Sequence, residues 1–259
     1  MKKNYTRIKV FAVAFAMSVF TMSAQLAGLY TINSASPTAG SNFQSFNALR
    51  TALLLGVTGG VTVDVVANSG PYVEQVDFPQ IAGTSALNPV IINGNGCTIS
   101  FNSNNNLQPH TLAMSGGDFF TFNDLIIEGT GTYAFVVHIW NDSDNNTFES
   151  CEMNAPVNGT STNHIPYSIS GSGSSYSSAG NTGDNNLANN CIMRWGYFGV
   201  TMYGLTGAPY NTNNRVENSS IRDWYVYGAY IYYQRQMALR GNTIHRPNRA
   251  TLTTTYGIY

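Results

Sequence analysis

Two patterns of apolar residues recur along this chain about once every thirty residues. In the first, an apolar or small residue is followed two positions later by Asp, Ser, Asn or Gly and five positions later by Ile or Met. It begins at Phe122, Phe148, Ala188, Val216 and Leu239. The second pattern places Val137, Ile169, Val200, Ala229 and Ile258 at steps of 32, 31, 29 and 29 residues. Strand-like segments at this period predict a solenoid, in which each repeat is one winding of strands and turns.

The first 24 residues have the pattern of an export signal. Basic residues at positions 2, 3, 7 and 9 precede an apolar run from Val10 to Phe20, and small residues end the segment at Ala24. The apolar run is too short to span a bilayer. We therefore predict that residues 1–24 are a signal peptide and that the remaining chain is secreted or held at the cell surface. A buried N-terminal helix is the alternative.

Removal of this segment changes the charge of the chain. All three lysines and Arg7 lie in it, so the 12 basic residues fall to 8 while all 13 acidic residues remain. A chain without lysine cannot form a Schiff base or use a lysine general base. A net acidic chain also lacks the basic face that nucleic acid requires, so we expect no nucleic-acid partner.

The chain contains three cysteines, an odd number that argues against a disulfide framework. Alignment of the windings puts Cys97, Cys151 and Cys191 at the position that Leu125 occupies. A position shared with leucine predicts an inward-facing apolar slot, in which cysteine acts as a small hydrophobe. A Cys151–Cys191 disulfide is the alternative, because adjacent windings lie about 4.8 Å apart, although parallel Cβ vectors make its geometry poor.

Apolar residues at helical spacing predict one helix, from Ser41 to Leu55, with Ser41 as its N-cap and Gly56 at its end. Such a helix would cover the open edge of the first winding. The sequence predicts strands at Leu29–Ile32, Val61–Val66, Val73–Phe78, Val90–Ile92 and Cys97–Phe101.

Two further stretches, one within the repeats and one at the end of the sequence, need a separate interpretation. The Ser- and Gly-rich segment 158–184 lengthens one interval of the first pattern to 40 residues and predicts a loop. The last residues, Tyr256 to Tyr259, repeat the pattern of Tyr227 to Tyr230, so we expect the sequence to be a fragment that stops within a further winding.

The winding length, the single apolar stripe and three Asn pairs, at 145–146, 185–186 and 213–214, resemble the right-handed parallel β-helix proteins of the pectin-lyase-like superfamily. The resemblance covers residues 57–259. The segment from Leu29 to Ile92 is similar to the start of large secreted β-helix proteins of Bacteroidota, which commonly end in a type IX secretion sorting domain. That domain is absent from this sequence, a departure that truncation would explain. Because the superfamily contains pectate lyases, polygalacturonases, adhesins and phage tailspikes, the resemblance implies a fold and leaves the chemistry open.

The predicted fold is therefore all-β: a right-handed parallel β-helix solenoid of about seven windings. Residues 25–56 would form a strand and the capping helix, and residues 57–259 the β-helix. Stacked windings also predict an ion pair between Glu217 and Arg240 and a ladder of amide side chains from Asn146, Asn186 and Asn214.

Stacking also predicts two candidate binding rows on the surface. The first contains Glu128, Asn154, Arg194, Arg222 and His245, with Trp195 and Trp224 beside the arginines. Guanidinium groups bind carboxylates and indoles offer a flat face to a sugar ring, so this row suits an acidic glycan. The alternative is a strand end at which polar residues collect.

The second row contains His138, Ser170, Thr201, Tyr230 and Tyr259, with Trp140, Tyr203 and Tyr232 running beside it. Exposed aromatic residues at the winding spacing predict a strip on which carbohydrate stacks. The alternative is an aromatic ladder that only stabilises the sheet.

Residues for catalysis are less apparent. Glycoside hydrolysis needs two carboxyl groups about 5 to 9.5 Å apart, and Asp142 and Asp144 lie in an Asn-rich stretch that suits a turn or a loose calcium site. No other cofactor is indicated. We predict a structural, adhesive or glycan-binding protein without catalysis in this segment. The alternative is a polysaccharide lyase or glycoside hydrolase for uronate-rich polymers, in which Arg194 or Arg222 acts as the base.

Overall fold

Three parallel sheets wind around one axis in the computed structural model, which describes residues 25–259. Sheet A contains Leu26–Ile32, Asn42–Phe43, Val57–Val65, Val90–Asn93, Phe120–Asn123, Thr147–Glu149, Leu187–Asn189, Arg215–Glu217 and Ala238–Arg240. Sheet B contains Tyr72–Val73, Thr98–Phe101, Ile126–Gly129, Glu152–Asn154, Ile192–Arg194, Ser220–Arg222 and Thr243–His245. Sheet C contains Val76–Pro79, His110–Ser115, Ala134–Trp140, His164–Ser170, Phe198–Tyr203, Tyr227–Tyr232 and Tyr256–Ile258. Asn211–Thr212 and Gln234–Arg235 pair as a separate two-stranded sheet.

The chain visits sheets A, B and C in turn, which makes the molecule a parallel β-solenoid of about eight turns. The prediction of a parallel β-solenoid is confirmed. The expected count of seven was too low, because Leu26–Ile32 pairs in parallel with Val57–Val65 and so adds strand pairing ahead of residue 57. The predicted signal peptide, residues 1–24, lies outside the described residues.

The register of sheet A follows the first sequence pattern. Phe148 pairs with both Phe122 and Ala188, and the row continues through Val216 to Leu239. The rings of Phe122 and Phe148 stack with centroids 4.9 Å apart. Both side chains are fully buried, and burial of one phenylalanine stabilises a fold by about 1.5–3 kcal/mol. This row is therefore a large part of the core.

The register of sheet C differs from the second pattern at one winding. Val137 and Val200 both pair with Tyr167, whereas Ile169 pairs with Ile139 and Met202. The predicted row through Ile169 was therefore wrong by two residues. Side chains in a strand alternate with a period of two, so a two-residue shift still puts an apolar residue inside. Tyr167, which is fully buried, takes the core position instead.

The helix is shorter than predicted and spans Phe46–Leu53. Ser45, not Ser41, is its N-cap, and the Ser45 hydroxyl accepts a hydrogen bond from the backbone of Ala48 at 3.1 Å. The carboxylate of Glu74 accepts from the next two free amides, those of Phe46 and Asn47, at 3.1 and 2.9 Å. A carboxylate at a helix N-terminus is favourable, so a residue from the first full winding determines where the helix starts.

One predicted strand and the predicted loop also have different bounds in the structure. The expected strand from Val73 to Phe78 is two strands, Tyr72–Val73 and Val76–Pro79, because the chain turns between sheets at Glu74 and Gln75. The expected loop at 158–184 contains the strand His164–Ser170. Only its second part, after Ser170, is a long excursion; we name residues 171–180 the strap.

All three cysteines are buried and free, so Cys151 and Cys191 do not form the disulfide that was the alternative. The thiols of Cys151 and Cys191 each lie 3.3 Å from a carbonyl oxygen of a neighbouring winding, those of Phe122 and Phe148. The apolar slot predicted from the shared position with Leu125 is confirmed.

The predicted amide ladder is present in the turn between sheets C and A. Asn146 Nδ2 donates to Asn186 Oδ1 and Asn186 Nδ2 donates to Asn214 Oδ1, both at 3.1 Å. All three side chains are fully buried. Buried amides must find partners, and here they find them in one another and in backbone groups, so the ladder couples neighbouring windings.

The predicted ion pair is also present, with Arg240 Nη2 lying 2.9 Å from Glu217 Oε1. The Arg240 side chain is 73% exposed, and exposed pairs contribute little. We expect Arg240→Ala to lower the free energy of unfolding by less than about 1 kcal/mol, and by less still at high salt. Urea unfolding at two salt concentrations measures this. Arg235→Ala, at another exposed arginine, is the control; a loss that is large and independent of salt would contradict the expectation.

Candidate functional site

The first candidate row lies on the outer side of sheet B in the predicted order. Glu128 pairs with Asn154, Asn154 with Arg194, Arg194 with Arg222, and Arg222 with His245. We name these five residues the arginine row. Parallel pairing brings side chains that lie 23 to 40 positions apart in sequence into one line, so the row depends directly on the solenoid.

A groove of about 320 Å³ lies beside the first part of the row. It is lined by Glu128, Gly129, Thr130, Asn154, Ala155, Pro156, Val157, Arg194 and Trp195. We name it the groove. Its wall at 155–157 comes from the connection between sheets B and C, whose length varies from two to ten residues along the solenoid. Periodicity cannot predict such a connection, and sequence reasoning missed this wall.

Trp195 has an unusual backbone conformation, with φ +71°. The equivalent position of the next winding is Asp223, at φ 62°, and aspartate tolerates the left-handed region better than a bulky residue does. The Trp195 amide donates to the carbonyl oxygen of Arg222 at 3.0 Å, which holds the turn. Such strain costs about 1–3 kcal/mol and is concentrated at functional sites.

The other predicted tryptophan is not available to a ligand. Trp224 is only 4% exposed and packs in the core, and the Arg246 guanidinium lies 6.0 Å from the centre of its ring. The prediction that Trp224 offers a face to a sugar was wrong, because a residue next to a turn is turned inward here. Trp195 alone remains as the aromatic wall of the groove.

The charges of the row are only partly compensated. Arg194 Nη2 lies 2.9 Å from Glu152 Oε1, and the same oxygen accepts from Asn154 Nδ2 at 3.0 Å. His245 Nε2 and Ser220 Oγ are hydrogen-bonded at 3.3 Å. Within residues 25–259, Arg222 is in no ion pair. The half of the row from Arg194 to His245 therefore has one carboxylate for two guanidinium groups.

The second candidate row differs from its prediction. His138 pairs with Ser168, not Ser170, and the row continues to Thr201 and Tyr230. His138, Ser168 and Thr201 are fully buried. The strap covers His138, whose Nε2 lies 2.9 Å from the carbonyl oxygen of Ser172. Burial lowers the pKa of His138 to about 3. This part of the predicted strip is not exposed.

The uncovered end of sheet C carries a patch of aromatic side chains. Tyr230 stacks on Tyr259 with centroids 5.6 Å apart, and Tyr203 stacks on Tyr232 at 5.5 Å. Trp140 is separated from them by the winding of Ser170 and lies against the strap at Gly173. Because the rings stack on one another, they form an aromatic ladder that stabilises the sheet. Carbohydrate binding by Trp140, Tyr203 and Tyr232 stays a prediction.

The acidic turn uses its carboxylates as hydrogen-bond acceptors for neighbouring windings. Asp118 accepts from the amide of Asp144 at 2.7 Å, Asp144 from the amide of Asp184 at 2.6 Å, and Asp142 from Asn181 Nδ2 at 2.6 Å. Burial raises the pKa of Asp118 to about 6 and also raises that of Asp144. In the described part of the chain, no group of three or more His, Cys, Asp or Glu residues is arranged to hold a metal ion. Calcium binding at Asp142 and Asp144 stays a prediction.

No helix among residues 25–259 combines the length and the apolar character needed to cross a membrane. Comparison of the chain with protein-family models, curated proteins and solved structures finds no match. The resemblance to pectin-lyase-like proteins therefore rests on sequence pattern alone.

Proposed function

We propose that this chain is an exported, non-catalytic β-solenoid that binds acidic glycans in the groove beside the arginine row. The observation that carries the proposal is that Trp195 and Arg194 line one concave site, from which the row of basic side chains continues to Arg222 on the next winding. A sugar ring has apolar faces and polar edges, so it needs both kinds of surface.

Each group has a defined part in this proposal. The indole of Trp195 packs on one face of a sugar, and Asn154 hydrogen-bonds to its hydroxyl groups. Arg222, whose guanidinium is not neutralised by a carboxylate, binds the acidic group of the neighbouring sugar through two parallel N–H donors. Glu152 holds Arg194 in a fixed orientation at 2.9 Å, which reduces the entropy lost on binding.

The binding role is preferred to catalysis because Glu128 is the only carboxylate among the residues that line the groove, whereas glycoside hydrolysis needs two. Glu152 already accepts hydrogen bonds from Arg194 and Asn154, so it is poorly suited to move a proton. The competing function is a lyase or hydrolase for uronate-rich polymers. Export is supported by the pattern of residues 1–24 and remains part of the proposal, as does attachment at the cell surface.

We expect Trp195→Ala and Arg222→Ala each to weaken binding of an oligouronate by about tenfold or more, the loss typical of a central aromatic or arginine contact. A polysaccharide array identifies the ligand and calorimetry then measures affinity. Tyr210→Ala and Arg235→Ala remove an aromatic residue and an arginine elsewhere and serve as matched controls.

Two results would count against the binding role. Equal affinity in all four variants would remove the groove as the site. Formation of an unsaturated uronate product, detected by its ultraviolet absorbance and lost in Arg222→Ala, would establish a lyase instead.

A further inference from the structure

One arginine outside the arginine row is buried in an environment of carbonyl oxygens. Arg249 is 6% exposed. Its guanidinium donates to five backbone carbonyls: Nε to Thr251 at 3.3 Å, Nη1 to Gly196 at 3.5 Å and Asp223 at 3.2 Å, and Nη2 to Asn158 at 3.2 Å and Gly159 at 2.8 Å. Arginine has five N–H donors, and here all of its acceptors are main-chain oxygens.

These carbonyls belong to different windings. Asn158 and Gly159 follow the fourth strand of sheet B, Gly196 the fifth and Asp223 the sixth, whereas Arg249 itself follows the seventh. Additional contacts fix the arginine in place: its guanidinium carbon lies 5.0 Å from the centre of the Tyr225 ring. The amide of Ala250 donates to Asn158 Oδ1 at 3.2 Å.

The segment that Arg249 holds is continuous with the groove. Pro156 and Val157 line the groove, and they immediately precede Asn158 and Gly159. The amide of Gly159 donates to the carbonyl of Pro156 at 2.9 Å, so residues 156–159 form one tight turn. Fixing the carbonyls of this turn therefore fixes the groove wall.

We propose that Arg249 is a positioning residue that holds the turn at 156–159, and with it the groove wall at 155–157, in the binding geometry from about 90 positions away in the sequence. This inference rests on the proposed glycan-binding function. The hydrogen bonds of Arg249 reach the turn at Asn158 and Gly159 and the carbonyl of Gly196, next to Trp195, and none of them joins a residue that lines the groove. A rigid wall lowers the ordering cost of binding.

Hydrogen exchange of the full exported chain tests the wall without any ligand. In Arg249→Ala we expect amides 157–163 to exchange about tenfold faster, because local opening no longer breaks the bonds to the guanidinium. Arg235→Ala, at an exposed arginine, should leave exchange unchanged. Ethylguanidinium added to Arg249→Ala should slow exchange again, whereas ethylammonium, which has no planar fork of donors, should not.

Affinity for the oligouronate is the second readout. Arg249→Ala should weaken binding about tenfold, and ethylguanidinium should restore it. Should Arg249→Ala fail to fold, Arg249→Lys keeps the charge and supports the same measurements, since an ammonium cannot contact five carbonyls. Unchanged exchange at 157–163 would overturn the inference, as would native affinity in a variant whose wall exchanges rapidly. Absence of binding in the native chain, with altered exchange in the variant, would overturn only the proposed function.

Discussion

Replacement of Gly183 by alanine is expected to lower the free energy of unfolding by more than about 3 kcal/mol, within the range of severe steric mutations. Gly183 has φ +99°, where an alanine is strained. An added Cβ would also overlap the carbonyl group of Ser143 and come within 2.7 Å of its amide nitrogen. Ser143 belongs to a neighbouring winding, and ladder hydrogen bonds fix the spacing between windings, so the backbone cannot retreat.

Urea unfolding followed by circular dichroism measures this loss. Gly207→Ala is a matched control, because an added Cβ there would have nothing within 4 Å and the residue is not among those with positive φ. It should change stability by less than about 0.5 kcal/mol. Similar behaviour of the two variants would mean that the windings adjust their spacing freely.

Asn186→Ala should destabilise the chain by about 3 kcal/mol, because it leaves buried groups without partners. Asn186 Oδ1 accepts from the amide of Asn146 at 3.2 Å and from its side chain at 3.1 Å. Asn186 Nδ2 donates to the carbonyl of Ser143 at 2.8 Å and to Asn214 Oδ1 at 3.1 Å. One truncation therefore removes four hydrogen bonds in a site without solvent.

The same denaturation experiment measures this effect. Asn186→Asp keeps the acceptor but loses both donors and buries a charge, so it should also be severe. Asn106→Ala removes an exposed asparagine and should be nearly neutral. Equal stability of Asn186→Ala and Asn106→Ala would contradict this expectation, because water would then have to take over the hydrogen bonds of the ladder.

Sequence alone predicted the parts of the fold that repeat. The ladder of Asn146, Asn186 and Asn214 and the pair of Glu217 with Arg240 followed from the spacing, because parallel strands keep one register over many windings. Ile169 was misplaced since alternation has a period of two and cannot distinguish shifts of two residues. The prediction of Ser41 as the N-cap was wrong because Ser45 also fits the cap position, and the Glu74 carboxylate that binds the first amides of the helix is distant in sequence.

The candidate site was predicted less completely for a related reason. The arginine row lies on strands and followed from their register. The groove wall lies in a connection whose length varies, and Arg249 reaches it across 90 positions. The burial of His138 depends on the strap, and Trp224 turns inward to the core from a connection between strands. Nothing periodic signals such contacts.

Side-chain size is uneven along the sheet A row, which passes from Phe122 and Phe148 to Ala188 and then to Val216 and Leu239. This unevenness affects which windings can pair with one another. Because the windings resemble one another, a strand could pair with the wrong neighbour, shifted by one winding along the axis. Such a slip would put the ring of Phe148 where only the methyl group of Ala188 fits, and would leave a void where a phenylalanine belongs. Both overpacking and cavities cost several kcal/mol. The uneven core therefore allows each winding to pack well only against its correct neighbours.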